Sequence, residues 1–313
     1  MVDSIRTTSN STSNSTRPPP SPRNLATAMK AAQLMELGSQ QYTLGQYKEA
    51  HHSFHQAVVL QRTAISTTSN MNLAATLQDL GSVAFQIGLS SEARAALEES
   101  LALKRRYYDD KNNKKQAKNL GDLANSVEEL GRVCIAVDDI VAAKQLYNEA
   151  LDLKRRAYGR GTPAVHAATE PLGSSTSASK ELKEHNYDQK NSDLAHTINK
   201  LGEISHKLGR YHNARKKYAE ALDMYRTSYG KNAAHLRIAK ILCNLGHVSS
   251  DLGKQQDAKS YYDQAMEMAN ASVAESNNDK EHPILQDTLL VLFVPPPARR
   301  IRTATTSGSY SSS

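Results

Sequence analysis

Several residue types and patterns are scarce here. Only two cysteines occur in 313 residues, Cys134 and Cys243. Two cysteines make no disulfide framework, and both fall near apolar core positions of different segments, so buried thiols in a reducing, cytoplasmic setting are the expectation. No apolar run opens the sequence, so no secretory signal is expected, and the sequons at Asn10 and Asn14 are expected to stay unglycosylated. The apolar run Pro283–Val294 is well short of the ~20 residues a membrane-spanning helix needs. No glycine-rich phosphate loop follows a strand, and no strand pattern is evident. Gly253-Lys254 lacks the earlier glycine and the following Ser or Thr that such a loop requires. Hydrophobic residues make up 39% of the chain, little for one deep core. These absences leave no expected cofactor and no catalytic constellation.

What is present is repetition. One Leu-Gly pair heads each unit, at 37, 80, 130, 201 and 245, so successive spacings of these pairs are 43, 50, 71 and 44 residues. Seven residues after each of these glycines stands Gly45, Gly88, Asp138, Gly209 or Gly253. Ala50, Ala93, Ala143, Ala214 and Ala258 follow, and then Phe54, Leu97, Tyr147, Tyr218 and Tyr262. Small residues at the first glycine and the alanine let two helices cross closely. The second glycine follows an apolar residue and suits the left-handed residue that ends a helix. Asp138 fits that conformation less well than glycine, which predicts a looser turn there. The aromatic position is expected to fill the gap between neighbouring units. No such unit buries its apolar face alone, so the units must stack.

The Leu-Gly…Ala-x-x-x-aromatic skeleton resembles the tetratricopeptide repeat, in the longer-period form of kinesin light chains. The leading Trp of that repeat is replaced by aliphatics and its closing Pro is absent. The spacings also exceed the ~34 residues of the short repeat. Tyr229-Gly230-Lys231-Asn232 and Tyr158-Gly159-Arg160-Gly161 resemble the linkers between light-chain repeats. The heptad coiled coil that precedes the repeats of a full kinesin light chain is missing. The resemblance implies an all-α fold, an α-solenoid of about five stacked helical hairpins with disordered tails.

Composition divides the chain. Residues 1–24 form a Ser/Thr/Pro-rich tail, too polar to fold. Its Arg17–Pro22 segment could dock as a polyproline helix, though a plain tail accounts for it. Its basic, acid-poor composition is that of a transit peptide, but an amphipathic face is lacking. Repeats one to three cover 25–159 and repeats four and five cover 191–275. Between them, 160–190 reads as a Gly/Pro/Ser-rich loop. The array either stacks continuously past this insert or splits into three units and two. Continued stacking is expected, because a split exposes two apolar end faces. Residues 276–294 are expected to hold a capping helix or a binding segment, and 295–313 a basic tail.

In this family first helices line a concave groove. By analogy, the residues three before, one after and four after each Leu-Gly glycine face it. The first of these sets is Met35, Gln78, Glu128, Asn199 and Cys243. Partner binding is assigned to Tyr42 and Phe85 for apolar area, and to Arg132, Asn199, His206 and His247 for specificity. The Lys/Asn/Arg clamp of chaperone-binding members is not reproduced, since Met35, Ser39 and Gln78 hold its places. The expected function is a non-enzymatic scaffold or adaptor holding a protein or peptide. The alternatives are a regulatory subunit of a separate enzyme, or an acidic or nucleic-acid partner. The net charge of +7 and the triplets Lys104–Arg106, Lys154–Arg156 and Arg215–Lys217 motivate the latter. No aromatic platform accompanies the triplets, and cations at helix ends account for the first two. His51 and His55, four apart on one helix, could share a metal, but no third ligand stands at motif spacing.

Overall fold

The computed structural model describes residues 22–63, 70–108, 116–158, 177–229 and 235–275. Those residues hold ten α-helices and no strand. The expectations for 1–21, for most of the insert and for residues 276–313 lie outside them. The chain forms two compact units, Met1–Asn112 and Asn113–Ser313.

The first unit holds α1 (Pro22–Thr43), α2 (Tyr47–Thr63), α3 (Asn70–Gln86) and α4 (Ser90–Tyr108). Helix α1 pairs with α2 and α3 with α4, and α2 packs on α3, so the two hairpins stack. The second unit holds α5 (Gln116–Ala136), α6 (Ile140–Tyr158), α7 (Ser177–Lys207), α8 (Tyr211–Tyr229), α9 (Leu236–Asp251) and α10 (Gln255–Glu275). Its three hairpins are α5–α6, α7–α8 and α9–α10, joined by α6 against α7 and α8 against α9. The insert therefore does not separate the third hairpin from the fourth. Nor is it a loop to its end, since α7 begins at Ser177. Beyond Gly173 there is no glycine or proline before Gly202, and Ala, Lys, Glu and Leu favour helix.

Each hairpin turns on a left-handed residue. Gly45, Gly88, Gly209 and Gly253 have φ of 74°, 85°, 70° and 75°, and Asp138 has 60°. The looser turn expected at Asp138 does not occur. Asp138 N–H donates to Ile135 O at 3.2 Å and Asp139 N–H to Cys134 O at 2.9 Å. Gly88 and Leu89 make the same two bonds to Phe85 and Ala84, at 3.1 and 2.8 Å. Asp is one of the few non-glycine residues that enters this region at modest cost, and the paired bonds hold it there.

The Leu-Gly glycine is a contact point within its own hairpin. A Cβ at Gly202 would lie 2.5 Å from Tyr218, at Gly246 2.5 Å from Tyr262, and at Gly131 2.8 Å from Tyr147. Gly81 meets Leu97 and Gly38 meets Phe54 in the same way, at 2.7 and 2.9 Å. The aromatic position thus seats on its own glycine first. It also reaches the next unit at the first joint, where Phe54 and Val58 cluster with Leu77, Leu80 and Val83 of α3.

Candidate functional site

The first helices carry the predicted positions, and their sides differ in access. In the first three hairpins, the residue three before the glycine bonds with the residue twenty-three after it on the second helix of the same hairpin; in all five, that second-helix residue is buried. These five are Gln61, Lys104, Lys154, Tyr225 and Ala269. Gln61 Nε2 donates to Met35 Sδ at 3.1 Å, Lys104 Nζ to Gln78 Oε1 at 2.6 Å, and Lys154 Nζ to Glu128 Oε2 at 2.7 Å. The next hairpin joins in. Thr76 Oγ1 donates to Met35 Sδ at 3.1 Å, and Thr197 Oγ1 donates to Glu128 Oε1 while accepting from Lys154 Nζ at 3.1 Å. A buried lysine is tolerable only with such partners. Cys243, also in this set, is fully buried. Burial pushes its thiol up to about 12, so it is an inert core residue and not a groove residue.

Residues one and four after the glycine remain accessible. In the first unit, Tyr42 is 38% exposed and sits edge-on to Tyr47 at 5.4 Å. Phe85 is half-buried. In the second unit, Arg132 is half-exposed and pairs with Glu129 at 2.9 Å along α5. Helices α7 and α9 together build a polar cluster. Asn199, at 5% exposure, donates to Glu203 Oε1 at 3.1 Å and accepts from Asn244 Nδ2 at 3.2 Å. It therefore acts as a strut between hairpins rather than as a free binding group. His206 Nε2 meets Asp251 Oδ2 at 2.5 Å, again across the joint. Lys200 Nζ donates to Glu203 Oε2 at 2.8 Å.

Charge tunes this cluster. Burial works to raise the Glu203 carboxyl, but Lys200, Lys240 and His196 together hold it below its ordinary value. Burial first, then the charge of His206, lowers His247, against a smaller opposing pull from Asp251. His247 also lies 5.4 Å from the ring of Tyr262. Of the predicted residues, His206 and His247 thus share the charge of Asp251, while Asn199 pairs with Glu203 and Asn244. Sequence reading missed Asn244 and Asp251, which fall one position beside the rows taken from the family.

The other candidates are placed elsewhere. His51 Nε2 meets Glu92 at 2.9 Å, bridging α2 to α4, while the His55 ring lies 6.3 Å from it. Among the described residues no group of three or more His, Cys, Asp or Glu side chains could hold a metal ion. The basic triplets do not form a cationic ladder. Lys104 and Lys154 are buried, Arg155 meets Glu220 at 3.5 Å, Arg156 meets Asp152 at 3.8 Å, and Lys217 meets Glu220 at 2.9 Å. No described helix is long and apolar enough to cross a membrane.

Residues 193–271 match the tetratricopeptide repeat family, so α8, α9, the C-terminal half of α7 and most of α10 are tetratricopeptide repeats by sequence. The preceding hairpins repeat the fold of that segment, and the Leu-Gly period of the chain resembles that of kinesin light chains. Solved structures share this fold. BtubC (BKLC) from P. vanneervenii is 16% identical with a TM-score of 0.56, over 83% of this chain and 85% of that one. A putative kinesin light chain of Podosopora anserina with nearly identical TPR-like repeats is 15% identical with a TM-score of 0.55, over 79% and 98%. A Rap protein solved with Competence and Sporulation Factor is 12% identical with a TM-score of 0.52, over 83% and 64%. No curated protein sequence matches the chain.

Proposed function

We propose that the chain is a non-enzymatic interaction scaffold, and that the accessible face of its first helices binds a segment of a partner protein. The observation that carries this reading is the α7–α9 cluster. Two successive hairpins contribute Glu203, His206, His247 and Asp251 to one half-buried polar surface with fixed geometry. The His206–Asp251 hydrogen bond across the joint, and the bonds of Asn199 and Lys200 to Glu203 along α7, hold those groups in place before any partner arrives, which lowers the ordering cost of binding. In the first unit, Tyr42 and Phe85 offer aromatic area instead. The Rap protein named above binds Competence and Sporulation Factor on the same kind of fold. A partner here is an extended peptide, polar where it meets α7 and α9. A cytoplasmic location suits the two buried free thiols, Cys134 and Cys243.

The test is a peptide array probed with the full chain. Peptides that bind should lose about tenfold or more in affinity with Glu203→Ala or His247→Ala, the scale of an interface hot spot. Asp152→Ala, on the second helix α6, should leave binding unchanged. Equal binding by all three variants would reject the first-helix face.

A further inference from the structure

The joints between hairpins have one design, and α1 and α10 each leave half of it uncovered. At each joint, the leucine of the Leu-Gly pair on a first helix is covered by the preceding second helix. That second helix buries the apolar residue twenty after its own glycine. At α2–α3 these are Val58 and Leu80, at α6–α7 Leu151 and Leu201, and at α8–α9 Leu222 and Leu245. All six are between 1% and 8% exposed.

The same two positions stand open at the ends. Leu37 of α1 is 44% exposed and Met266 of α10 is 41% exposed. Leu25 and Met29 extend the apolar stripe on α1. A hollow of about 270 Å³ over α1 and α2, lined by Lys30, Leu34, His55, Gln56, Val59 and Leu60, has no further described helix over it. Charge is partly complementary: exposed Arg23 and Lys30 lie along α1, with Glu36 beside Leu37, and exposed Asp263 and Glu267 flank Met266, with Lys259 a turn earlier on α10.

We propose that α10 of one copy docks on α1 of a second copy, reproducing the internal joint between molecules. The occupant follows from the pattern. The face on α1 accepts a second helix bearing a large ring and, four residues later, an apolar side chain. Helix α10 carries that pair as Tyr262 and Met266, with Met266 still open to solvent. Such a contact joins unlike surfaces, so it propagates head to tail rather than closing as a symmetric pair. It is separate from the peptide-binding reading, since it uses neither Glu203 nor His247.

Sedimentation velocity of the full chain over a wide concentration range tests it. Wild type should associate progressively. Leu37→Lys and Met266→Lys should each weaken self-association by about tenfold or more, because each places a charge in an apolar contact. Both residues are exposed in the single chain, and unchanged circular dichroism confirms that each variant folds. An equimolar mixture of the two variants keeps one intact contact and should form a dimer that grows no further. A wild type that stays monomeric throughout would overturn the proposal. So would either variant that self-associates as tightly as wild type, or a mixture that associates no better than the variants alone.

Discussion

The two units use one scaffold and finish it with different chemistry. In the first, the accessible first-helix rows hold Ser39, Tyr42, Ser82 and Phe85; in the second they hold Arg132, Ile135, Glu203, His206, His247 and Ser250. The interiors differ as well. Among the bonds of these two lysines, Lys104 donates to the amide of Gln78, and Lys154 donates to the carboxylate of Glu128 and to Thr197 of the next hairpin. Backbone and small-residue positions set the hairpin, and the remaining positions are free to set affinity and repeat order. A repeat array tolerates this because each unit contacts only its neighbours.

Breaking the interior contrast should give the largest effect. Glu128→Ala leaves the Lys154 ammonium buried without its counter-charge and should cost about 3–5 kcal/mol in urea unfolding. Gln78→Ala in the first unit removes a neutral acceptor and should cost about 1–3 kcal/mol. Equal losses would show that the two lysines are held alike. Replacing both members of the pair, as Glu128→Leu with Lys154→Met, should recover much of the stability.

Next in size are the glycine contacts. Gly202→Ala drives a methyl against the Tyr218 ring, which α8 holds in place, and should cost about 1–3 kcal/mol. Gly38→Ala meets Phe54 at a longer distance and should cost less. A Gly202→Ala chain as stable as wild type would show that the ring moves aside freely.

The turns should give smaller effects of opposite sign. Nothing lies within 4 Å of a Cβ at Gly209, so Gly209→Ala costs only the left-handed backbone, about 1–2 kcal/mol. Asp138→Gly relaxes the one non-glycine turn and should stabilise, by less than about 1 kcal/mol, since glycine also loses more chain entropy. Thermal melts of both variants measure the difference.

The smallest effect is with pH. The folded state depresses His247, so the unfolded chain binds the proton more readily. Stability from this group is complete above its unfolded value of about 6.5 and is lost as pH falls from there toward the lowered folded value. His247→Gln should flatten that part of the acid limb. An unchanged limb would show that His247 stays solvated.

The hairpins were legible because glycine, alanine and the ring recur at fixed spacing, and those residues act through size alone. The same reading missed the order of the Asp138 turn, because paired backbone bonds override a modest side-chain preference. It placed the start of α7 too late, because a polar segment free of Gly and Pro looks like loop once periodicity is weak. The site was legible only in part. Counting from the glycine placed His206 and His247 on an accessible row, but assigned the buried Asn199 and Cys243 to an open groove. Whether a residue three before the glycine is accessible depends on what stands twenty-three after it, on another helix.

The most direct measurement of the central claim is carboxyl-group labelling of the full chain, with and without a peptide captured on the array. Binding along the first helices predicts protection of Glu203 and Asp251, with Asp152 and Asp263 on second helices labelled as before. Protection of Asp152 or Asp263 with Glu203 and Asp251 unchanged would contradict it.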